Sequence, residues 1–302
     1  MHIVKRFATS INPFVYYVPI LYGTVKLFDY VIGVDSILQI GWNKLRAALG
    51  DNLAYYNIGV LFLYPFLFYH LTIFVFYIVI KIKERDKVKS LKLQAKDSEI
   101  ETPENTRKAV INVLQNYLAI LVVMLVQFYF DRDFARARRD PELPSFLEVM
   151  KHLILSMFIH EFVFYYTHRL LHTKWFYRFH KKHHEYKTPT ILAALYAGLV
   201  DHILSAYLPA SICIYILQMH LGTALLWLST VTVTVIIGHM GYHSPIFYAA
   251  QFHDNHHLKF VYNYSMYGIA DILHGTLKHS DVVENYEITN KWVPHPNNKK
   301  PE

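Results

Sequence analysis

Histidine is the residue type in this chain best placed to do chemistry. Nineteen are present, and 16 of them lie between residues 152 and 279. FHKKHH at 179–184 and FHDNHH at 252–257 repeat one pattern, H-x-x-H-H. The first carries His180, His183 and His184, and the second His253, His256 and His257. Two pairs, His168 with His172 and His239 with His243, are each four residues apart. Residues three and four apart share one face of a helix, with Cβ atoms about 5–6 Å apart. Four helical stretches thus offer ten ring nitrogens, too many for one ion; two metals with roughly five ligands each are predicted. Imidazole suits zinc, copper, iron and nickel alike. Acidic partners are expected to orient the rings. Glu161, seven residues before His168, and Asp254, inside the last box, are the first choices. Glu185 and Asp271 are further candidates.

Other readings compete with this one. HEFVF at 160–164 begins like a zinc-protease H-E-x-x-H, but Phe164 stands where the second histidine belongs. A loose metal-scavenging tract would show irregular runs instead of repeated helical spacings. The isolated His70, His152, His202, His220 and His274 read as packed or hydrogen-bonded residues. The one cysteine, Cys213, excludes an internal disulfide and a thiolate zinc site.

The elements that must position these rings are apolar. Hydrophobic residues make up 53% of the 302, and charged residues only 18%, below the ~25% of soluble domains. Residues 54–80 contain no Asp, Glu, Lys or Arg, and a membrane helix needs about 20 apolar residues. Pro65 is placed to kink that helix. Residues 81–108 then set nine Lys and Arg against six acids, a solvated linker whose basic excess marks the cytosolic side. A second span at 109–130 is softened by Asn112, Gln115, Asn116 and Gln127. Residues 131–144 form a polar lumenal turn, its four Arg balanced by four acids. A third apolar helix at 146–166 runs into THRLLH, and 189–238 is long enough for a two-helix hairpin.

The predicted fold is therefore all-α, a polytopic membrane helical bundle of about four to five membrane helices. Residues 1–53 form an interfacial or packed segment, 54–144 two spans with the linker 81–108, 145–280 the catalytic domain and 281–302 a cytosolic tail. Counting crossings from a cytosolic residue 81 puts every dense histidine cluster on the cytosolic face. Basic loops against anionic lipid account for the net charge of +7. No aromatic-interleaved basic domain points to nucleic acid, and no cleavable signal peptide stands out.

HRLLH, HKKHH and HDNHH together resemble the three ordered boxes of the membrane fatty acid hydroxylase and sterol desaturase superfamily. The likeness extends to YYTHRLLH, FHKKHHEYKTP, GHMGYHSP, FHDNHHLKF and DILHGT, which are similar to animal fatty acid hydroxylase domain-containing proteins, relatives of the sterol C4-methyl oxidases. It covers roughly residues 145–278. The resemblance implies a non-haem centre of two iron ions using O2, with the same ten histidines as ligands. It implies electrons from NAD(P)H through a separate cytochrome b5 and its reductase, for which Lys181 and Lys182 offer a docking charge. The implied substrate is a membrane lipid, first a C4-methyl sterol and otherwise a fatty acyl or sphingolipid chain, hydroxylated or desaturated. A His-rich metal-binding or transport protein is the non-enzyme alternative. It needs polar residues through its spans, whereas here the histidines gather at span ends. Where relatives commonly read A-H-P-x-E, this chain reads AGLVD at 197–201, with Gly198, Leu199 and Asp201 in place of His, Pro and Glu. That departure is expected to alter the site's rim. Lys299 and Lys300 resemble a dilysine signal for the endoplasmic reticulum membrane. The sequon at Asn263 is expected to stay unglycosylated on the cytosolic side.

Overall fold

A computed structural model describes residues 37–83, 102–242 and 249–278, with the isolated positions Gly23, Leu27 and Leu93. His243, Lys299, Lys300 and nearly all of the 84–101 linker lie outside the described residues. The fold is all-helical; among the described residues there is no strand, and an isolated bridge joins Arg138 to His220. The helices are α1 (Ile37–Leu49), α2 (Leu61–Lys83, entered through a π turn at Tyr55–Val60), α3 (Pro103–Phe130), α4 (Phe146–Leu171) and a short α5 (Tyr177–His180). They continue with α6 (Leu199–Leu217), α7 (Leu221–Gly238), α8 (Ala249–Lys259) and α9 (Ile269–His274).

Local chemistry sets the helix ends. Thr102 caps α3, its hydroxyl accepting from Asn105 N at 3.2 Å, with Pro103 in the first turn and Glu104 beside it. The second span therefore starts inside the stretch expected to be linker, because T-P-E-N is a helix start whatever its charge. Ser145 caps α4 in the same way, accepting from Glu148 N at 3.2 Å. The hairpin helices begin at Leu199, ten residues later than position 189. The intervening stretch holds a 3₁₀ turn at Ile191–Ala193 and extended residues that cross the top of α3. Asn112 Oδ1 accepts from Ala197 N at 3.0 Å, and Asn116 Nδ2 donates to Ala197 O at 3.1 Å. Two of the amides that soften the second span thus hold this crossing, and Gln127 accepts from the Tyr207 hydroxyl lower down.

The chain runs between two ends. At one, Asn57 Nδ2 donates to Arg132 O, Trp42 Nε1 donates to Asp140 O, and Arg138 N donates to Met219 O. The α3–α4 and α6–α7 turns therefore sit together there, with α1. At the other end lie residues 172–198, His239 and α8. Four helices, Tyr55–Ile78, Pro103–Phe130, Leu199–Leu217 and Leu221–Gly238, are long and apolar enough to cross a membrane. The fifth traverse, α4, is less apolar than these because Lys151, His160 and Glu161 interrupt it. It makes the passage packed against α6 and α7. The main core gathers residues of α1–α4, α6 and α7 around the fully buried Trp227, Cys213 and Leu221, and a second cluster packs Ile236 against Tyr69 of α2 and Val113 of α3.

Candidate metal centre

Nine of the ten predicted histidines are described, and the bundle gathers all nine at one end in two groups. His168, His172, His180, His184 and His256 form the first; His183, His239, His253 and His257 form the second. Within each group the ligand atoms lie within 4.8 Å of one another. Each H-x-x-H-H box serves both groups. His180 and His184 turn to the first group and His183 to the second. His253 and His257 turn to the second and His256 to the first. A single shared face is thus not what the spacing delivers. Nor is the second box one helix: His180 ends the four-residue α5, and His183–Glu185 is a 3₁₀ turn. The third box lies wholly within α8.

The rings are oriented from behind. His168 Nδ1 donates to Tyr264 O at 2.6 Å and His256 Nδ1 to Tyr262 O at 2.7 Å. His183 Nδ1 donates to Tyr196 O and His257 Nδ1 to Tyr186 O, both at 3.1 Å. His239 Nδ1 donates to Val235 O at 2.8 Å, one turn back on α7. His180 Nδ1 donates to the Asp201 carboxylate at 2.7 Å. A carbonyl or carboxylate oxygen has no proton to give, so each of these six rings carries its proton on Nδ1 and leaves Nε2 bare. The bare nitrogens face each other. In the first group His168 and His180 approach to 3.1 Å. In the second, His239 and His183 approach to 3.3 Å. Two unprotonated imidazole nitrogens repel at that distance, and a cation between them turns the repulsion into ligation. Adjacent nitrogens at about 2.1 Å from one ion would be separated by roughly 3 Å, which agrees with these spacings. His184 Nδ1 is buried with no hydrogen-bond partner, and its Nε2 faces His180, His172 and His256 at 3.0–3.3 Å.

Burial reinforces this. In α8, burial first and neighbouring imidazoles second hold His253, His256 and His257 well below the ordinary imidazole value. These rings stay neutral at neutral pH, the form a metal ligand requires.

An apolar cavity opens directly against the rings. His168 and His180 from the first group and His183, His239 and His253 from the second form one wall. Phe164, Leu195, Val235 and Met266 contribute to the rest.

Residues 153–276 match the family model described as Fatty acid hydroxylase. Fatty acid hydroxylase domain-containing protein 2 of Homo sapiens is 38% identical over 189 residues, 61% of this chain and 56% of that protein. The chain thus spans little more than half the length of that relative. Methylsterol monooxygenase 2-2 of Arabidopsis thaliana is 30% identical over 240 residues, covering 74% of this chain and 84% of that protein. The chain belongs to the fatty acid hydroxylase family. A very-long-chain aldehyde decarbonylase of Oryza sativa subsp. indica is 30% identical over 179 residues, 55% of this chain and 64% of that protein. No solved structure matches.

Within this family member the acidic residues divide differently from expectation. Glu161 is fully buried, but its carboxylate accepts from Tyr267 N at 2.8 Å, Ala270 N at 2.9 Å and Met266 N at 3.2 Å. It ties α4 to the 266–270 turn, which edges the cavity, instead of orienting a ring. Asp271 accepts from Tyr264 N and Ser265 N, fixing the segment whose carbonyl holds His168. Glu185 accepts from the Tyr196 hydroxyl. Asp254 is buried within α8. Among the described residues, Asp201 is a carboxylate that does reach an imidazole, set at the start of an apolar hairpin. An acid so placed needs a partner, and that was the available signal. Gly198 matters as well: a Cβ there would lie 2.8 Å from Phe179 O. The glycine lets the chain before Asp201 pass against the backbone of the second box, so the departure from A-H-P-x-E bears on the ligand shell and not only on its rim. Asn263 of the sequon is fully buried, its amide donating to Phe252 O and Lys278 O.

Proposed function

We propose that this chain is a membrane-bound non-haem di-iron oxygenase that hydroxylates or oxidises an unactivated C–H bond of a lipid, first a C4-methyl sterol. The observation that carries the reading is the pair of histidine groups whose bare nitrogens converge beside an apolar cavity. The first group would hold one iron through His168, His172, His180, His184 and His256. The second would hold the other through His183, His239, His253 and His257, with His243 as the further ligand that the family resemblance implies. Bound iron supplies the O2-activating redox chemistry that no side chain of the protein can provide.

The protein's own residues do the rest. Backbone carbonyls and Asp201 fix the ring tautomers, so the ligands need no rearrangement to bind metal. The apolar lining excludes water and admits a hydrocarbon skeleton. Glu161 and Asp271 hold the 264–271 turn against α4, which keeps Met266 and Ser265 at the cavity. Electrons come from NAD(P)H through cytochrome b5 and its reductase. Lys181, on the exposed side of the second box, is their nearest docking charge, whereas Lys182 already lies over the Tyr196 ring at 5.1 Å. The membrane is that of the endoplasmic reticulum, with the histidine end and the C-terminus cytosolic. The five traverses keep that orientation consistent with a cytosolic linker at residue 81. Relatives named methylsterol monooxygenase favour a sterol.

The test is expression in yeast lacking its own C4-methyl sterol oxidase, with sterols profiled by mass spectrometry and His256→Ala as control. Depletion of 4-methyl sterols that requires His256 is the expected result. Unchanged sterols in cells making a folded, iron-loaded protein would remove the sterol assignment and bring forward a fatty acyl or sphingolipid substrate.

A further inference from the structure

The cavity lining contains, besides the histidine groups, a polar group without a partner. His202, the residue after Asp201, begins a π turn at His202–Tyr207. Such turns are rare and concentrate at functional sites. The turn brings both His202 and Ser205 to the cavity. His202 is 5% exposed, and its Nδ1 is buried with no hydrogen-bond partner. Among the described residues neither of its ring nitrogens is hydrogen-bonded; its neighbour is the Tyr117 ring, edge-on at 6.2 Å. The other polar side chains of the cavity are occupied. Ser205 donates to Asp201 at 2.7 Å, Thr234 donates to Thr230 O at 2.8 Å, and Ser265 accepts from Gly268 N at 2.9 Å. A buried imidazole left unpaired costs stability, and a lipid oxygen would relieve that cost.

We propose that His202 is the substrate-recognition residue of this cavity, hydrogen-bonding a hydroxyl that the lipid carries close to the carbon to be oxidised. The inference rests on the reading of the cavity as a lipid oxidation site and deepens it. Asp201 holds the ligand His180, so its chain neighbour stands within reach of a group only a few bonds from a carbon facing the metals. A hydroxyl both donates and accepts, and so pairs with either tautomer of a neutral ring. The rest of the lining gives an apolar skeleton nothing polar to satisfy. The site therefore selects a lipid alcohol, such as a 4-methylsterol with its 3-hydroxyl, over a hydrocarbon of the same shape.

The experiment measures equilibrium binding of a 4-methylsterol and of its 3-deoxy counterpart to the purified, iron-loaded full chain. Wild type, His202→Phe and His202→Asn are compared, with iron content measured for each. Wild type is expected to prefer the alcohol by about ten- to a hundredfold. His202→Phe should bind both alike with its iron retained, and His202→Asn, which restores an amide near Nδ1, should recover part of the preference. Equal binding of the two lipids by wild type, or binding of neither, overturns the proposal. So does a preference that survives in His202→Phe, or loss of iron from that variant. Turnover of the alcohol is followed in parallel. A preference that depends on His202 without turnover would leave the recognition role standing and defeat the oxygenase reading instead.

Discussion

The two H-x-x-H-H boxes have one spacing and two structures. Residues 253–257 lie in the continuous helix α8. Residues 180–184 are a helix end followed by a 3₁₀ turn. Yet they divide their rings in mirrored fashion. The outer pair of the second box and the inner ring of the third serve the first group, and the reverse holds for the second group. The spacing therefore does not encode a helix. It encodes a pair of rings four apart and a third turned the other way, which any compact backbone can present if something behind it fixes the rings. What stands behind differs. The third box relies in part on its own following turn, where Tyr262 O takes His256 and the Asn263 amide knits Phe252 to Lys278, while its His257 is held by Tyr186 O just after the second box. The second box relies on a distant element: Asp201 on α6, and Tyr196 O in the crossing held by α3.

The sharpest way to break the mirror is to remove the ring that crosses over in each box. His256→Ala removes a first-group ligand supplied by the third box, and His183→Ala a second-group ligand supplied by the second. Each is expected to lower bound iron from two towards one per chain and to abolish turnover. Metal analysis of purified protein reads the stoichiometry. Full loading of either variant would show that the two groups are not separate sites. Loss of both ions from each would show that they cannot fill independently.

Asp201 is the next lever, because it touches only the second box. Asp201→Asn keeps the size and removes the charge behind His180. Loss of such a partner costs about 10–100-fold in metal affinity. Competition with a calibrated chelator should show that weakening for one ion and leave the other near wild type. Equal weakening of both would mean that Asp201 acts on the fold and not on one ring.

These levers also mark how far the sequence could be read. The histidine boxes and the all-α membrane class follow from spacing and hydropathy, which need no three-dimensional partner. The apportioning of rings between two groups does not, since His183 and His184 are neighbours in the chain and part company only when the bundle closes. The orienting groups were harder still. Five of the six oriented rings point at backbone carbonyls, which carry no sequence signature, and Glu161 satisfies backbone amides that sequence spacing cannot reveal. The third apolar helix starts at Phe146 as its hydropathy indicated, but the charge of the linker hid the start of α3 at Pro103.

Asn112 tests the distant support more gently. Its side-chain oxygen accepts from Ala197 N, one residue beyond the carbonyl that orients His183. Asn112→Ala leaves that amide unpaired at a cost of about 1–3 kcal/mol. The melting temperature should fall and the second group should lose iron first, while Asn263→Ala should disturb the first group through Tyr262. Identical iron loss in both variants would erase the distinction between local and distant support.

The smallest effect is expected farthest from the rings. At the opposite end Arg139 binds the Asp133 carboxylate at 3.0 Å, and Arg138 binds Asp140 at 2.7 Å. These charges neutralise each other within the turn, whereas two facing bare imidazole nitrogens are both acceptors and cannot satisfy each other. Polar groups satisfied among themselves hold a fold; polar groups that face one another unsatisfied wait for a ligand. Arg139→Ala should therefore cost no more than about 1 kcal/mol, seen as a small shift in thermal unfolding, with two irons still bound. Loss of iron from that variant would mean that the two ends are coupled through α4, whose capped start lies beside this turn and whose last turns carry His168 and His172.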